Sequence, residues 1–145
     1  MFSKLSDPTR WVIPAILEEM AVALPDKRWI ETTSGDFFDF SRAAADMHRV
    51  SGYLTELGIE RGDHVAVLMG NSVDFVRVWL GITRLGAIAV LLNPELSGSF
   101  LSHQLNTAEC TLAIVDDTLV PQLKAIELDL PFLNRVIVLG EQPPC

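Results

Sequence analysis

Apolar residues recur at helical spacing near the start of the chain, at Ile13, Ile16, Leu17, Met20 and Leu24. The spacing predicts a helix over Arg10 to Leu24, with Pro14 early, where a helix tolerates it, and Pro25-Asp26 as its end. Arg28 to Thr32 and Phe37-Phe38 flank a Gly-containing turn and read as a small hairpin. Asp39 is placed to cap a second helix through its carboxylate. Along that helix Ala43, Met47, Val50, Leu54 and Leu57 line one face, while Arg42, Asp46, Arg49 and Glu56 fall elsewhere. Gly58 is the expected left-handed end, with Ile59 folding back onto Leu54.

Beyond this point the pattern changes. His64 to Met69 is an almost continuous apolar run, the mark of a strand covered on both faces. Ala87 to Leu92 and Thr111 to Val115 repeat it, and Arg135 to Leu139 is a fourth strand candidate. Between them lie a helix from Ser72 to Leu85, closed by Gly86, a helix from Ser97 to Ala108 with Phe100, Leu101, Leu105 and Ala108 facing in, and a short helix near Thr118 to Ile126. Asn71 or Ser72 caps the first of these. Its polar residues Asp74, Arg77 and Arg84 form one narrow stripe, so most of its girth is buried. Gln142-Pro143-Pro144 reads as a linker. The expected core is Met47, Leu54, Val65, Val67, Met69, Phe75, Trp79, Ala87, Ala89, Leu91, Leu112 and Ile114. Alternation of helix and strand argues for an α/β fold, a mostly parallel sheet flanked by helices, joined by right-handed crossovers.

In such a sheet ligands bind beyond the carboxyl ends of the strands, here Gly70-Asn71-Ser72, Asn93-Pro94-Glu95 and Asp116-Asp117. Gly70 lacks the later glycines of a dinucleotide fingerprint, and no Walker loop is present. Asn71 and Asn93 read better as caps and turn-formers than as ligands. Thr32-Thr33-Ser34-Gly35 lacks the lysine of a phosphate loop and reads as a hairpin turn. Asp116 and Asp117 are adjacent, so their carboxylates project apart instead of converging on magnesium. His48, His64 and His103 are scattered, and each reads as structural. No nucleophile–base pair emerges from spacing.

Composition narrows the classes further. The 145 residues suffice for one domain, and 49% are hydrophobic, rich for a free-standing domain. The formal charge is −8 with no basic cluster, so the phosphate-neutralising footprint of a nucleic-acid binder is missing. Cys110 and Cys145 are too few for a disulfide framework or a zinc site, which points to a reducing cytoplasm. The first residues lack a signal-peptide core, because Asp7, Pro8 and Arg10 interrupt it. The longest apolar runs fall well short of the ~20 residues of a membrane span. A cytoplasmic protein is expected, compatible with peripheral membrane contact.

The stretch from about Pro25 to Asp116 resembles the start of the AMP-forming acyl-CoA synthetase (adenylate-forming) family. Leu57-Gly58-Ile59-Glu60-Arg61-Gly62-Asp63-His64-Val65-Ala66-Val67 is similar to that family's L…G(V/I)xxGDxVA(I/V) segment. Asn71-Ser72-Val73-Asp74-Phe75 resembles N-S-x-(E/D)-F, and Leu85-Gly86-Ala87-Ile88-Ala89-Val90-Leu91-Leu92-Asn93-Pro94 resembles xGAxxVxxNP. Leu101-Ser102-His103-Gln104-Leu105 fits the helix that follows. Phe75-Val76-Arg77-Val78-Trp79-Leu80-Gly81 is most similar to the very-long-chain acyl-CoA synthetase and fatty-acid transport protein branch. One departure is local: where the family often has a Thr-Tyr-x-Glu-Leu capping box, this chain reads Asp39-Phe40-Ser41-Arg42-Ala43, and Arg42 cannot return the reciprocal bond.

The resemblance implies that residues 1–145 are an incomplete N-terminal portion of an AMP-binding domain with no internal boundary. The complete enzyme would be an ATP-dependent fatty-acid–CoA ligase using ATP, Mg2+ and CoA. Its phosphate loop, ribose aspartate, magnesium glutamate and lid lysine would all lie beyond Cys145. No catalytic, cofactor-binding or metal-binding residue is therefore assigned to this chain, which alone is expected to be inactive, to hold no cofactor and to self-associate through exposed apolar surface. The residues leave two other readings open: a truncated, non-catalytic interaction or binding module, and an unrelated small flavodoxin-like domain that binds a nucleotide.

Overall fold

The first helix, α1 (Ile13–Ala23), buries only Leu17, and Ile13 and Ile16 stay largely exposed. The computed structural model describes residues 12–140. The expected helix start at Arg10, the Gln142-Pro143-Pro144 linker and Cys145 lie outside the described residues. After α1 comes the antiparallel hairpin of β1 (Arg28–Glu31) and β2 (Phe37–Asp39). Its turn needs Gly35, whose φ is 94°, in the left-handed region.

Asp39 begins α2 (Phe40–Glu56) as expected, accepting a 2.7 Å hydrogen bond from the Arg42 amide. Helix α2 ends at Gly58 (φ 80°), with the Ile59 amide bonded back to the Leu54 carbonyl. The remaining elements are β3 (His64–Leu68), α3 (Val73–Leu85), β4 (Ile88–Leu91), α4 (Gly98–Thr107), β5 (Leu112–Asp116), α5 (Val120–Lys124) and β6 (Arg135–Leu139).

Strands β3 to β6 form a wholly parallel sheet in the order β4-β3-β5-β6. Strict alternation assigns the two faces. Val65, Val67, Leu112 and Ile114 meet Leu54, Val78 and Ile82 of α2 and α3. Ala66, Leu68, Ala113 and Val115 meet Leu101, Leu105, Leu123 and Ile126 of the α4–α5 layer. A third cluster joins the hairpin to the helices through Phe38, Ala43, Met47 and Leu80.

Helices α2 and α3 approach so closely at Gly81 that a Cβ there would stand 2.3 Å from Val50 Cγ1. Charge crosses the same seam. Asp46, expected off the packed face, is 5% exposed, and its carboxylate takes hydrogen bonds from Arg77 Nε and Arg49 at 2.7 Å each.

Four expectations need correction. Strand β4 is an edge, not a strand covered on both faces, and Leu91 is 48% exposed because no strand lies beyond it. Phe100 does not face in; it is 73% exposed on the first turn of α4. Trp79 is half-buried, packed beside the third cluster instead of within a sheet core. Phe75 and Ala89 are likewise half-buried at the margin of the α2–α3 cluster.

Leu54→Ala removes a fully buried side chain and should cost about 2–5 kcal/mol, whereas Phe100→Ala should stay within about 0.5 kcal/mol. Gly81→Ala should cost about 1–3 kcal/mol by overpacking the helix seam. Denaturant titration of the three variants checks this ordering, and a neutral Gly81→Ala would contradict the close approach.

Candidate functional site

From β3 the chain turns through α3 to β4 on one side, and from β5 it turns through α5 to β6 on the other. The carboxyl ends of β3 and β5 therefore frame the crevice where an open α/β sheet ordinarily takes its ligand. Here a side chain closes it. Asp116, the last residue of β5, accepts a 2.7 Å hydrogen bond from the Gly70 amide just past β3. That amide is consequently not available to an anion. Asp117 turns the other way, against Gly140, where a Cβ would meet its Oδ2 at 2.5 Å. The two carboxylates diverge, as the sequence led us to expect.

Beside the closed crevice lies a cavity of about 550 Å3. Its apolar wall is Val50, Tyr53 and Leu54 of α2, Val78 of α3 and Ile114, Ile137 and Leu139 of the sheet; its polar rim is Ser72, Asp74, Arg77, Asp116, Asp117 and Thr118. The Ser72 hydroxyl already caps α3 by accepting from the Phe75 amide at 3.1 Å. Arg77 is the one cation among the described residues of this wall, and two carboxylates hold it: Asp46 at 2.7 Å and Asp74 at 2.6 Å. Its guanidinium also sits 4.9 Å above the Phe38 ring. Burial alone would lower its pKa, but the hydrogen bonds it donates to Asp74 and Asp46, together with their negative charge, hold it above the ordinary arginine value.

A more polar hollow of about 470 Å3 joins the hairpin turn to the start of α3, with Thr32, Thr33, Ser34, Arg42 and Asn71 on its wall. The turn hydroxyls are engaged with one another: Thr32 Oγ1 and Ser34 Oγ are 2.8 Å apart, and Ser34 donates to Asp36 at 3.0 Å. Asn93 likewise makes a local turn, accepting from the Glu95 amide at 2.9 Å.

The histidines stay apart. His48 lies 3.0 Å from Glu18, which also meets Arg84 at 3.3 Å, so Glu18 links α1 to α2 and α3. His64 Nδ1 bonds the Ala108 carbonyl, and His103 is exposed on α4. Cys110 is 1% exposed, and burial pushes its thiol up to about 11. Among the described residues no cluster of His, Cys, Asp and Glu is arranged to hold a metal ion, and no helix is long and apolar enough to cross a membrane.

These groups do not fit a nucleoside triphosphate. The strand-end amide is occupied, the one arginine among the described residues lining this cavity is neutralised, and Asp74, Asp116 and Asp117 would repel phosphate. Sequence reasoning missed the Asp46–Arg77 pair because helical periodicity sorts charges outward. The one available signal was an arginine within an otherwise apolar stretch of α3.

Two changes probe this region. Asp46→Ala leaves Arg77 without its buried partner and should cost about 3–5 kcal/mol, while Asp46→Leu/Arg77→Met should recover part of that loss. Thermal melts of the pair test this. In a Cys145→Ser background, Cys110 should resist thiol reagents until the chain unfolds. The raised thiol pKa also fixes a sign: the unfolded chain loses this proton near 9 and the folded chain only near 11. Stability from this group is full below pH 9 and falls as pH rises toward 11, which alkaline denaturant titrations of Cys110→Ala against its parent would detect.

Comparison with known proteins gives this scaffold its relatives. The mouse (Mus musculus) long-chain fatty acid transport protein 6 is 33% identical over 111 residues, covering 76% of this chain and 18% of that protein. The crotonobetaine/carnitine–CoA ligase of Salmonella paratyphi B (strain ATCC BAA-1250 / SPB7) is 29% identical over 108 residues, 74% of this chain and 21% of its own length. The chain thus spans about a fifth of the curated relatives it matches.

Among solved structures, a Mycobacterium tuberculosis fatty acyl CoA synthetase superposes with a TM-score of 0.83 at 28% identity, over 92% of this chain and 27% of that one. The N-terminal domain of FACL13 from the same organism gives 0.82 at 28%, over 88% and 33%. The anthranilate CoA ligase AuaEII, in complex with anthranoyl-AMP, gives 0.82 at 26%, over 89% and 25%. The mouse relative agrees with the branch that the Phe75 to Gly81 run is similar to. Residues 17–144 match the family described as AMP-binding enzyme, and the chain belongs to that family.

Proposed function

We propose that this chain serves as scaffold within an ATP-dependent fatty-acid–CoA ligase and is undivided within its 145 residues. The observation that carries this reading is the family match over residues 17–144, joined to a fold that superposes on a third of an N-terminal domain at TM-score 0.82. In the complete enzyme a fatty carboxylate oxygen would attack the α-phosphorus of ATP and release pyrophosphate. The CoA sulfur would then attack the acyl carbon and release AMP. ATP, Mg2+ and CoA would supply the activated phosphate, its charge compensation and the thiol.

The residues that converge on that chemistry are placed outside this chain, which contributes no catalytic, cofactor-binding or metal-binding side chain. What it contributes is a rigid parallel sheet against which the remaining domain packs. A long- or very-long-chain acid is the favoured substrate, since the fatty-acid transport protein relative carries a long-chain name. A cytoplasmic setting with peripheral membrane contact suits such a substrate.

A second reading, a non-catalytic module that associates with itself, is favoured by the apolar side chains left on the surface. Val136 and Val138, on one face of β6, are 44% and 50% exposed, and apolar surface grouped in this way promotes association.

Adenylation needs charge preorganised around the developing phosphate transition state and reactants held in reacting geometry. The purified chain should therefore leave ATP–pyrophosphate exchange at the no-enzyme rate with magnesium and a panel of fatty acids, and should form no acyl-CoA. Fused to the downstream portion of a family ligase, the same residues should support both. Exchange above background by the chain alone would overturn the scaffold reading.

A further inference from the structure

We draw no further inference here: the strongest candidate, the polar hollow between the hairpin turn and the start of α3 with Arg42 on its wall, carries nothing, because Arg42 is exposed, Asp36 and Asp74 line the same hollow and no second observation at this helix start points to a ligand.

Discussion

Strands β3 and β5 each have a strand on either side and a helical layer on either face, and the need to keep them out of water places nearly everything else. Val65 to Met69 and Leu112 to Val115 are at most 3% exposed. Their backbone groups are consumed by parallel ladders to β4, β3 and β6, so no polar group is left for solvent to claim. Two-sided burial of this kind requires helices on both faces. The left-handed glycines Gly58 and Gly86 supply the sharp stops that return the chain from α2 into β3 and from α3 into β4. With Gly81 at the crossing, α2 rests directly on α3, and both reach the sheet.

The Asp46–Arg77 pair belongs to the same seam. Two charges in a largely buried helix interface offer little net stability, because desolvation offsets most of their attraction. Their consequence is directional. Only one rotation of α2 about its axis presents Asp46 to Arg77 Nε while Met47 and Leu54 stay inside. The Phe38 ring beneath the guanidinium extends that constraint to the hairpin. The polar contact thus selects one packing among several that the apolar residues alone would tolerate.

How much of this was legible in the sequence depends on range. The strands β3 and β5, the Asp39 and Ser72 caps and the Gly58 and Gly86 stops are local signals, and each stands where periodicity and turn chemistry put it. Strand β4 reads the same as β3 along the chain, yet Leu91 is half exposed, because edge position is set by strand order and no local pattern reports it. Phe100 looked inward by type, but spacing relative to Leu101 and Leu105 decides the face, and that pair wins. Asp46 was sorted outward because its partner is 31 residues away on another helix. At the strand ends, reading Asn93 as a turn-former and Asp116 and Asp117 as divergent needed only local geometry. The Asp116–Gly70 bond that closes the crevice needed the fold.

That closure bears on what a doubly wound sheet can do. The crevice between β3 and β5 is the place where such folds usually accept phosphate, because exposed amides and a helix start converge there. In this chain the Gly70 amide already holds a carboxylate from the same polypeptide, and the Ser72 hydroxyl already accepts from the Phe75 amide as the cap of α3. A bound anion would have to displace Asp116 and then face Asp74 and Asp117 nearby. The bond instead ties the ends of the two central strands together. Strand ends tied together and helices locked across a charged seam make a stiff platform, which suits the scaffold role proposed above.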